Sequence, residues 1–439
     1  MKCIEDEIPF ELPEGWEWCR FTSVTVNRDS ERKPISSANR TNVAKIYDYY
    51  GASGKIDKID KFIFNEKLLL IGEDGANLVT RSKPIAFFAE GQYWVNNHAH
   101  CIDSTDKLIL EYLCLYINAI SLEKYVTGSA QPKMTQDNMN SILIALPPYE
   151  EQKRLEFQVN HILKTVSTIE NEKEDIVNYI ISAKSKILDL AIRGKLVPQD
   201  SNDEPASVLL ERIRAEKEEL IKQGKIKRDK KESIIFKGED NSYYEKVGVE
   251  IRCIDSEIPF EIPDGWMYER LGNICSIARG GSPRPIENYL TDDENGLNWI
   301  KIGDTEQGGK YIYSTKEKIR PEGLSKTRYV CSGDFLLTNS MSFGRPYILR
   351  TNGCIHDGWL VIRGIEIAFH QDYLYYMLSS SIMYNALSSL AVGSTVKNLK
   401  SDSVKSLLVP IPPLAEQACI SRQIENYFAT MLPIERSLS

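Results

Sequence analysis

Residues 8–18 read IPFELPEGWEW, and residues 258–268 read IPFEIPDGWMY. Proline fixes φ and removes a backbone donor, while a glycine two residues on permits a left-handed turn. Each phrase therefore reads as an extended segment that turns at Gly15 or Gly265 and delivers Trp16 or Trp266 to the core of the domain it introduces. A second matched pair lies downstream. Residues 128–152 read GSAQPKMTQDNMNSILIALPPYEEQ, and residues 393–417 read GSTVKNLKSDSVKSLLVPIPPLAEQ, at a constant offset of 265. The chain is thus written twice, each copy bracketed by an opening and a closing phrase.

Trp16 to Gly128 spans 112 positions and Trp266 to Gly393 spans 127, so the second copy carries fifteen more residues between its brackets. The interiors look unrelated: YGASGKIDKIDKFIF and LLIGEDGANL in the first copy, ARGGSPRP, NWIKIGDT and GDFLLTNSMSFGRPYI in the second. Two equivalent frames hold two different contents.

After each double proline the pattern turns helical. Leu155, Val159, Ile162, Val166, Ile169, Lys173, Ile176, Ile180, Ala183, Ile187 and Leu190 step by alternating four and three, which is a heptad seam. In the second copy Ile420, Ile424, Tyr427, Met431 and Ile434 fall on the same register at the 265-residue offset. A seam this narrow asks for a partner helix, and its internal duplicate is the expected one, paired antiparallel. The alternative is that each helix caps its own domain. A helix over residues 150–192 would be about 65 Å long. Pro433 is expected to kink or cut short the second helix. Between the first helix and the second copy, Gly194 stops the helix, residues 198–203 turn, and a short charged helix follows Pro205, with a basic run at 225–231.

Bulk properties set limits on function. The 439 residues allow two or three domains, and 42% hydrophobic with 26% charged residues is an ordinary globular composition. No apolar run approaches the roughly 20 residues that span a bilayer, and the acidic opening is unlike a secretory leader, so a cytoplasmic location is expected. The nine cysteines are scattered without CxxC spacing, which supports neither a zinc ribbon nor a disulfide framework. The net charge of −8 counts against a nucleic-acid binder. It divides as −4 over residues 1–148, −1 over 149–252 and −3 over 253–439, so no region is basic overall.

The arrangement resembles the specificity subunit of type I restriction–modification systems along essentially the whole chain. The resemblance is carried by the P-x-GW phrases at Pro13–Trp16 and Pro263–Trp266, the two PP-x-x-EQ closings, and the linker RGKLVPQDSNDEPASVLLERI at 193–213. LIGEDGA at 70–76 and VNNHAH at 95–100 also look like phrases of its target-recognition domains. The resemblance implies an α+β fold with two target-recognition domains separated by long antiparallel coiled-coil helices in a pseudo-twofold repeat. The expected boundaries are 1–148 and 253–412 for the recognition domains, 149–193 and 413–439 for the spacer helices, and 194–252 for the linker. It further implies that each domain reads half of a split double-stranded DNA site. The helices would dock two methyltransferase subunits carrying S-adenosylmethionine, and motor-nuclease subunits using ATP and Mg would join. No cofactor is expected in this chain, and no chemistry of its own. Heads meeting one face of DNA would have half-sites about 34 Å apart.

Candidate DNA contacts are polar groups on glycine-led loops: Asn77, Asn96, Asn97, His98, Ser129, Gln131 and Lys133 in the first copy. In the second they are Arg279, Arg284, Asn339, Ser342, Arg345, Ser394, Thr395, Lys397 and Asn398. His98 and His100 alternate as on one strand face, but no third ligand of metal spacing is evident, so no metal site is expected. Two rival classes fit less well. LPPY at 146–149 is similar to the (Asn/Asp)-Pro-Pro-(Tyr/Phe) motif of amino-methylating enzymes, yet Leu146 and Ile411 cannot hydrogen-bond a target amino group. A coiled-coil scaffold that binds only protein leaves the polar, divergent interiors unexplained. No GxxxxGK(S/T) phosphate loop is present.

Overall fold

The computed structural model describes residues 5–128, 131–226, 228, 232–306, 308–340, 343–391 and 398–438. It divides into two compact units, Met1–Asn171 and Glu172–Ser439.

In the first unit the opening phrase forms the expected turn: the Trp16 N–H donates to the Pro13 carbonyl at 3.2 Å, with Gly15 at φ 87°. The strand Glu17–Arg20 then pairs antiparallel with Leu143–Leu146, so the first and last strands of the domain are neighbours. Between them lie two four-stranded sheets. One runs in the order Val26–Asn27, Ala99–Asp103, Leu68–Gly72, Ala86–Ala89, and the other Gly54–Ile59, Tyr47–Gly51, Gln92–Val95, Phe64–Asn65.

The run Leu68–Gly72 is buried at every position because it is covered on both faces. Leu69 and Ile71 point to a core shared with Leu113 and Ile117 of the helix Lys107–Ala119. Leu68 and Leu70 point the other way, to Phe64, Tyr93, Val95 and Cys101. Each such side chain contributes roughly 1.5–3 kcal/mol on burial.

The second unit repeats this frame strand for strand. Glu17 pairs with Leu146 and Met267 with Ile411. Leu69 pairs with Ile102 and Phe335 with Ile362, and the register runs on to Gly72 with Ala99 and Thr338 with Trp359. Tyr50 pairs in parallel with Val95, as Ile300 does with Ile355. Phe64 with Tyr93 answers to Val330 with Gly353. The interiors that share no visible sequence are therefore one scaffold, and the offset drifts from 250 to 266, to 260 and to 265 as loops change length. The largest insertion falls between Ile300 and Val330, where Tyr311–Ile312 adds an edge strand. A sheet of Ser233–Lys237, Tyr243–Val247 and Glu250–Cys253 precedes the second copy.

A single helix covers Tyr149–Ile192. The Pro148 carbonyl accepts the first free N–H groups, from Glu151 and Gln152, and Gly194 at φ 66° ends the helix with Lys195 N–H on the Leu190 carbonyl at 2.9 Å. The helix Ala206–Lys222 follows Pro205. The second spacer helix, Leu414–Leu438, runs on through Pro433, contrary to the expected interruption.

Within the second unit Lys184 reaches both Glu435 at 2.6 Å and the ring of Phe428 at 5.4 Å, while Gln199 beyond the first helix reaches Glu416 at 2.6 Å. One helix ascends in number as the other descends, so residues near 184 and 428–435 run antiparallel.

The seam residues divide. Ile420 and Ile424 are fully buried, packed on their own domain with Tyr373 and Met377 of the helix Gln371–Ser379. Ile180 is buried, and Ile187 and Met431 half-buried. Leu155 and Val159 in the first unit are half-buried, Leu155 against its own core. Ile162, Val166, Ile169, Ile176, Tyr427 and Ile434 are exposed. The seam is thus not one continuous buried stripe: next to each closing phrase it caps its own domain, Ile162, Val166, Ile169, Ile176, Tyr427 and Ile434 face solvent, and Ile180 and Ile187 are covered again in the second unit.

The described cysteines are all free thiols. No helix among the described residues is long and apolar enough to cross a membrane.

Candidate nucleic-acid interface

Three hydrogen bonds gather the loops at one edge of each scaffold. In the first unit Glu73 N–H donates to the His98 carbonyl at 2.9 Å, Met134 N–H to the Glu73 carbonyl at 2.8 Å, and His98 N–H to Asn96 Oδ1 at 2.8 Å. In the second, Asn339 N–H donates to the Gly358 carbonyl at 2.9 Å, Leu399 N–H to the Asn339 carbonyl at 2.8 Å, and Gly358 N–H to His356 Nδ1 at 2.8 Å. Glu73 thus corresponds to Asn339, Asn96–His98 to His356–Gly358, and Met134 to Leu399. Carried two residues past Asn27 and Ile277, which pair with Ile102 and Ile362, the shared register sets Asp29 in the place of Arg279. One frame presents different side chains.

The first edge is a network of ion pairs. Arg32 bridges Asp29 at 3.2 Å and Glu73 at 2.7 Å, and Lys133 takes the other Glu73 oxygen at 3.1 Å. His100 is buried between Asp29 at 2.6 Å and the Met134 carbonyl at 3.0 Å. Burial would raise the Asp29 carboxyl, but the hydrogen bond and charge of His100, with Arg32, hold it below its ordinary range. Glu73 is likewise held low against its burial by Arg32 and Lys133. The exposed His98 pairs with Asp74 at 2.7 Å. The two histidines therefore face different carboxylates, and no group of metal-ligand type occurs among the described residues.

At the second edge Asp357 is the organiser. Its side chain accepts from Ser282 at 2.8 Å and meets His356 at 3.0 Å, Arg284 at 3.6 Å and Arg279 at 3.9 Å. Burial lowers His356 below the usual imidazole value despite Asp357. Its Nδ1 accepts from Gly358, so its proton sits on Nε2, toward Asp357. Arg279 also donates to the Asp357 carbonyl at 2.9 Å, which leaves two tethered but exposed guanidinium groups.

The sequence-predicted residues fall into three groups. Asn97, Gln131 and Arg345 are exposed, and His98, Lys133, Arg279 and Arg284 are exposed yet held by a carboxylate. Asn77 and Asn96 instead shape loops: Asn77 commits its amide to Ser82 and to both backbone groups of Lys83, and Asn96 is buried. Asn339 is also fully buried; its amide donates to the Asp357 carbonyl at 2.8 Å and its Oδ1 has no partner among the described residues. Asn398 is half-buried beside the core residue Leu399. Ser129, Ser342, Ser394, Thr395 and Lys397 lie outside the described residues. Sequence reading missed Asp29, Arg32, Glu73, Ser282, His356 and Asp357. The pair Asn96–His98 and His356–Gly358 carried a usable signal, a turn residue three before the next strand, but the drifting offset hid it.

Opening and closing phrases are latched together. Trp16 Nε1 donates to Glu151 at 3.2 Å and Trp266 Nε1 to Glu416 at 2.8 Å. Gln152 and Gln417 cap the preceding Pro147 and Pro412 carbonyls at 2.9 and 3.0 Å. Trp266 sits in the core as expected, whereas Trp16 is only half-buried.

Comparison with known proteins agrees with this doubled frame. The family model described as "Type I restriction modification DNA specificity domain" matches residues 13–187 and again 263–438. The chain is 27% identical over 506 aligned positions to the Type I restriction enzyme EcoEI specificity subunit of Escherichia coli, covering 98% of this chain and 80% of that protein. It is 29% identical to the EcoAI specificity subunit of the same organism, with 63% of this chain and 54% of that protein covered. A solved chain from work on complex assembly and conformational transition of the type I R-M system shares the fold. Its TM-score is 0.56 at 16% identity, with 98% of this chain and 94% of that one covered. With both repeats matched by that model, the chain belongs to the type I restriction–modification DNA specificity family.

Proposed function

We propose that this chain reads a two-part double-stranded DNA target, one half with each repeat, as the non-catalytic specificity subunit of a larger complex. Two methyltransferase subunits carrying S-adenosylmethionine would modify an adenine in each half, and motor-nuclease subunits using ATP and Mg would join for cleavage. The observation that supports this best is the shared strand register with unlike residues at corresponding edge positions: Asp29 against Arg279, Glu73 against Asn339, Asn97 against Asp357. Fixed frames with different polar edges suit two readers of different sequence. Arginine is matched to guanine, Asn or Gln to adenine, and a carboxylate to the cytosine amino group.

The exposed Ile162, Val166 and Ile169 offer an apolar stripe to partner subunits. With a net charge of −8, much of the phosphate grip falls to those partners. The test is co-expression with the cognate methyltransferase and mapping of N6-methyladenine across the host genome. A bipartite motif is expected; exchanging residues 17–146 for those of another family member should change one half of it. Methylation without a motif, or alteration of both halves, would refute the reading.

A further inference from the structure

In a chain of net charge −8, the second recognition edge gathers exposed arginines. Arg279 and Arg284 stand against the Asp357 carboxylate, and Arg328 donates from Nε to the Arg279 carbonyl at 2.8 Å. The segment RGGSP at 279–283 is laid flat on the turn His356–Gly358. Gly280 N–H donates to the Trp359 carbonyl at 2.9 Å and Gly281 N–H to the Ile355 carbonyl at 3.2 Å. A Cβ on Gly280 would lie 2.2 Å from the His356 carbonyl oxygen, and one on Gly281 2.7 Å from that of Lys326, so glycine alone permits this approach.

Arg279, the last residue of the strand Ser276–Arg279, is thereby fixed in place. Its Nε donates to the Asp357 carbonyl at 2.9 Å, and its Nη2 stands 3.9 Å from Asp357 Oδ2, so the Nη edge of the guanidinium remains open to a ligand. Asp357 Oδ1 is taken by Ser282 at 2.8 Å and His356 at 3.0 Å. Burial would raise the Asp357 carboxyl, but Ser282, His356 and the two arginines hold it below its ordinary range, so it stays charged as an orienting group. Arg284 is freer: its side chain is 82% exposed against 49% for Arg279, and among the described residues only Asp357 meets it, at 3.6 Å. In the place of Arg279 the first repeat has Asp29, buried and engaged by Arg32 and His100.

We propose that Arg279 reads a guanine in the half-site of the second repeat, its two Nη groups donating to O6 and N7 in the major groove while Asp357 orients it, and that Arg284 holds a phosphate nearby. The first repeat makes no such contact through Asp29. This rests on the DNA reading proposed above, and adds to it a base, a residue and one of the two halves.

The test is the N6-methyladenine motif written by the full chain with its methyltransferase, compared for the wild type, Arg279→Lys, Arg279→Gln and Arg284→Ala. Lysine keeps the charge but not the fork. Arg279→Lys should therefore lower the preference for one G·C pair by about tenfold in the half that residues 263–411 specify, with the other half unchanged. Arg279→Gln, whose amide suits adenine, should move the preference at that pair toward A·T, a gain that misfolding cannot produce. Arg284→Ala should weaken methylation of all sites alike and leave the motif as it is. If the wild type writes a bipartite motif and both Arg279 variants leave it unchanged, or only lower methylation uniformly, the proposal is overturned while the reading of DNA stands. A wild type that writes no bipartite motif would overturn the reading of DNA, and this proposal with it.

Discussion

The indole of Trp266 is the clearest case in which one side chain holds a domain closed. It is buried and its N–H meets a buried carboxylate, Glu416, whose own value burial raises. Replacing Trp266 with Phe removes the donor and leaves that carboxylate short of a partner, which should cost about 1–3 kcal/mol in urea unfolding. Trp16→Phe, at a half-buried site with a longer bond, should cost under about 1 kcal/mol. Glu245 gives a pH-dependent counterpart. Burial opposes its ionisation, but Arg270, Ser233 and Arg252 bring its carboxyl down to about 2. A lowered carboxyl stabilises the fold above its unfolded value and loses that contribution as pH falls toward the folded one. Stability should therefore drop between about pH 4.5 and 2, by up to about 3 kcal/mol, and Glu245→Gln should flatten this part of the profile in pH-dependent thermal unfolding. The Gly-Trp phrase was legible because proline and glycine punctuate it. The Glu that receives the indole was visible only as part of a repeated word, since nothing local marks which carboxylate a remote tryptophan will meet.

Among the elements, the spacer helices separate stability from assembly. Ile180 is 7% exposed and Ile162 is 60% exposed. Ile180→Asp should destabilise the second unit by several kcal/mol, as a charge left in a packed site does, whereas Ile162→Asp should change unfolding by less than about 0.5 kcal/mol. If the exposed stripe receives partners, Ile162→Asp should still fail to assemble with the methyltransferase in gel filtration. The heptad spacing was readable, because apolar residues recur along it at alternating steps of four and three. The kinship of the two interiors was not. Sheet register is carried by backbone pairing and burial, so Leu69–Ile102 and Phe335–Ile362 can be equivalent with no shared letters. At the recognition edge Arg345 is exposed; Arg345→Ala should lower affinity of the assembled complex for all DNA and reduce the salt slope by about one, measured by titration at several ionic strengths.

For the molecule as a whole, the decisive feature is that each recognition domain begins and ends on adjacent antiparallel strands, Glu17–Arg20 beside Leu143–Leu146 and Met267–Arg270 beside Leu408–Ile411. The two ends of such a domain leave through the same doorway, fixed by the same indole and the same glutamate. A genetic crossover placed in the codons for the Gly-Trp or Pro-Pro words would therefore import a foreign domain with its strand edges already aligned. Related strains could trade one recognition domain in a single recombination event, with the supporting framework kept.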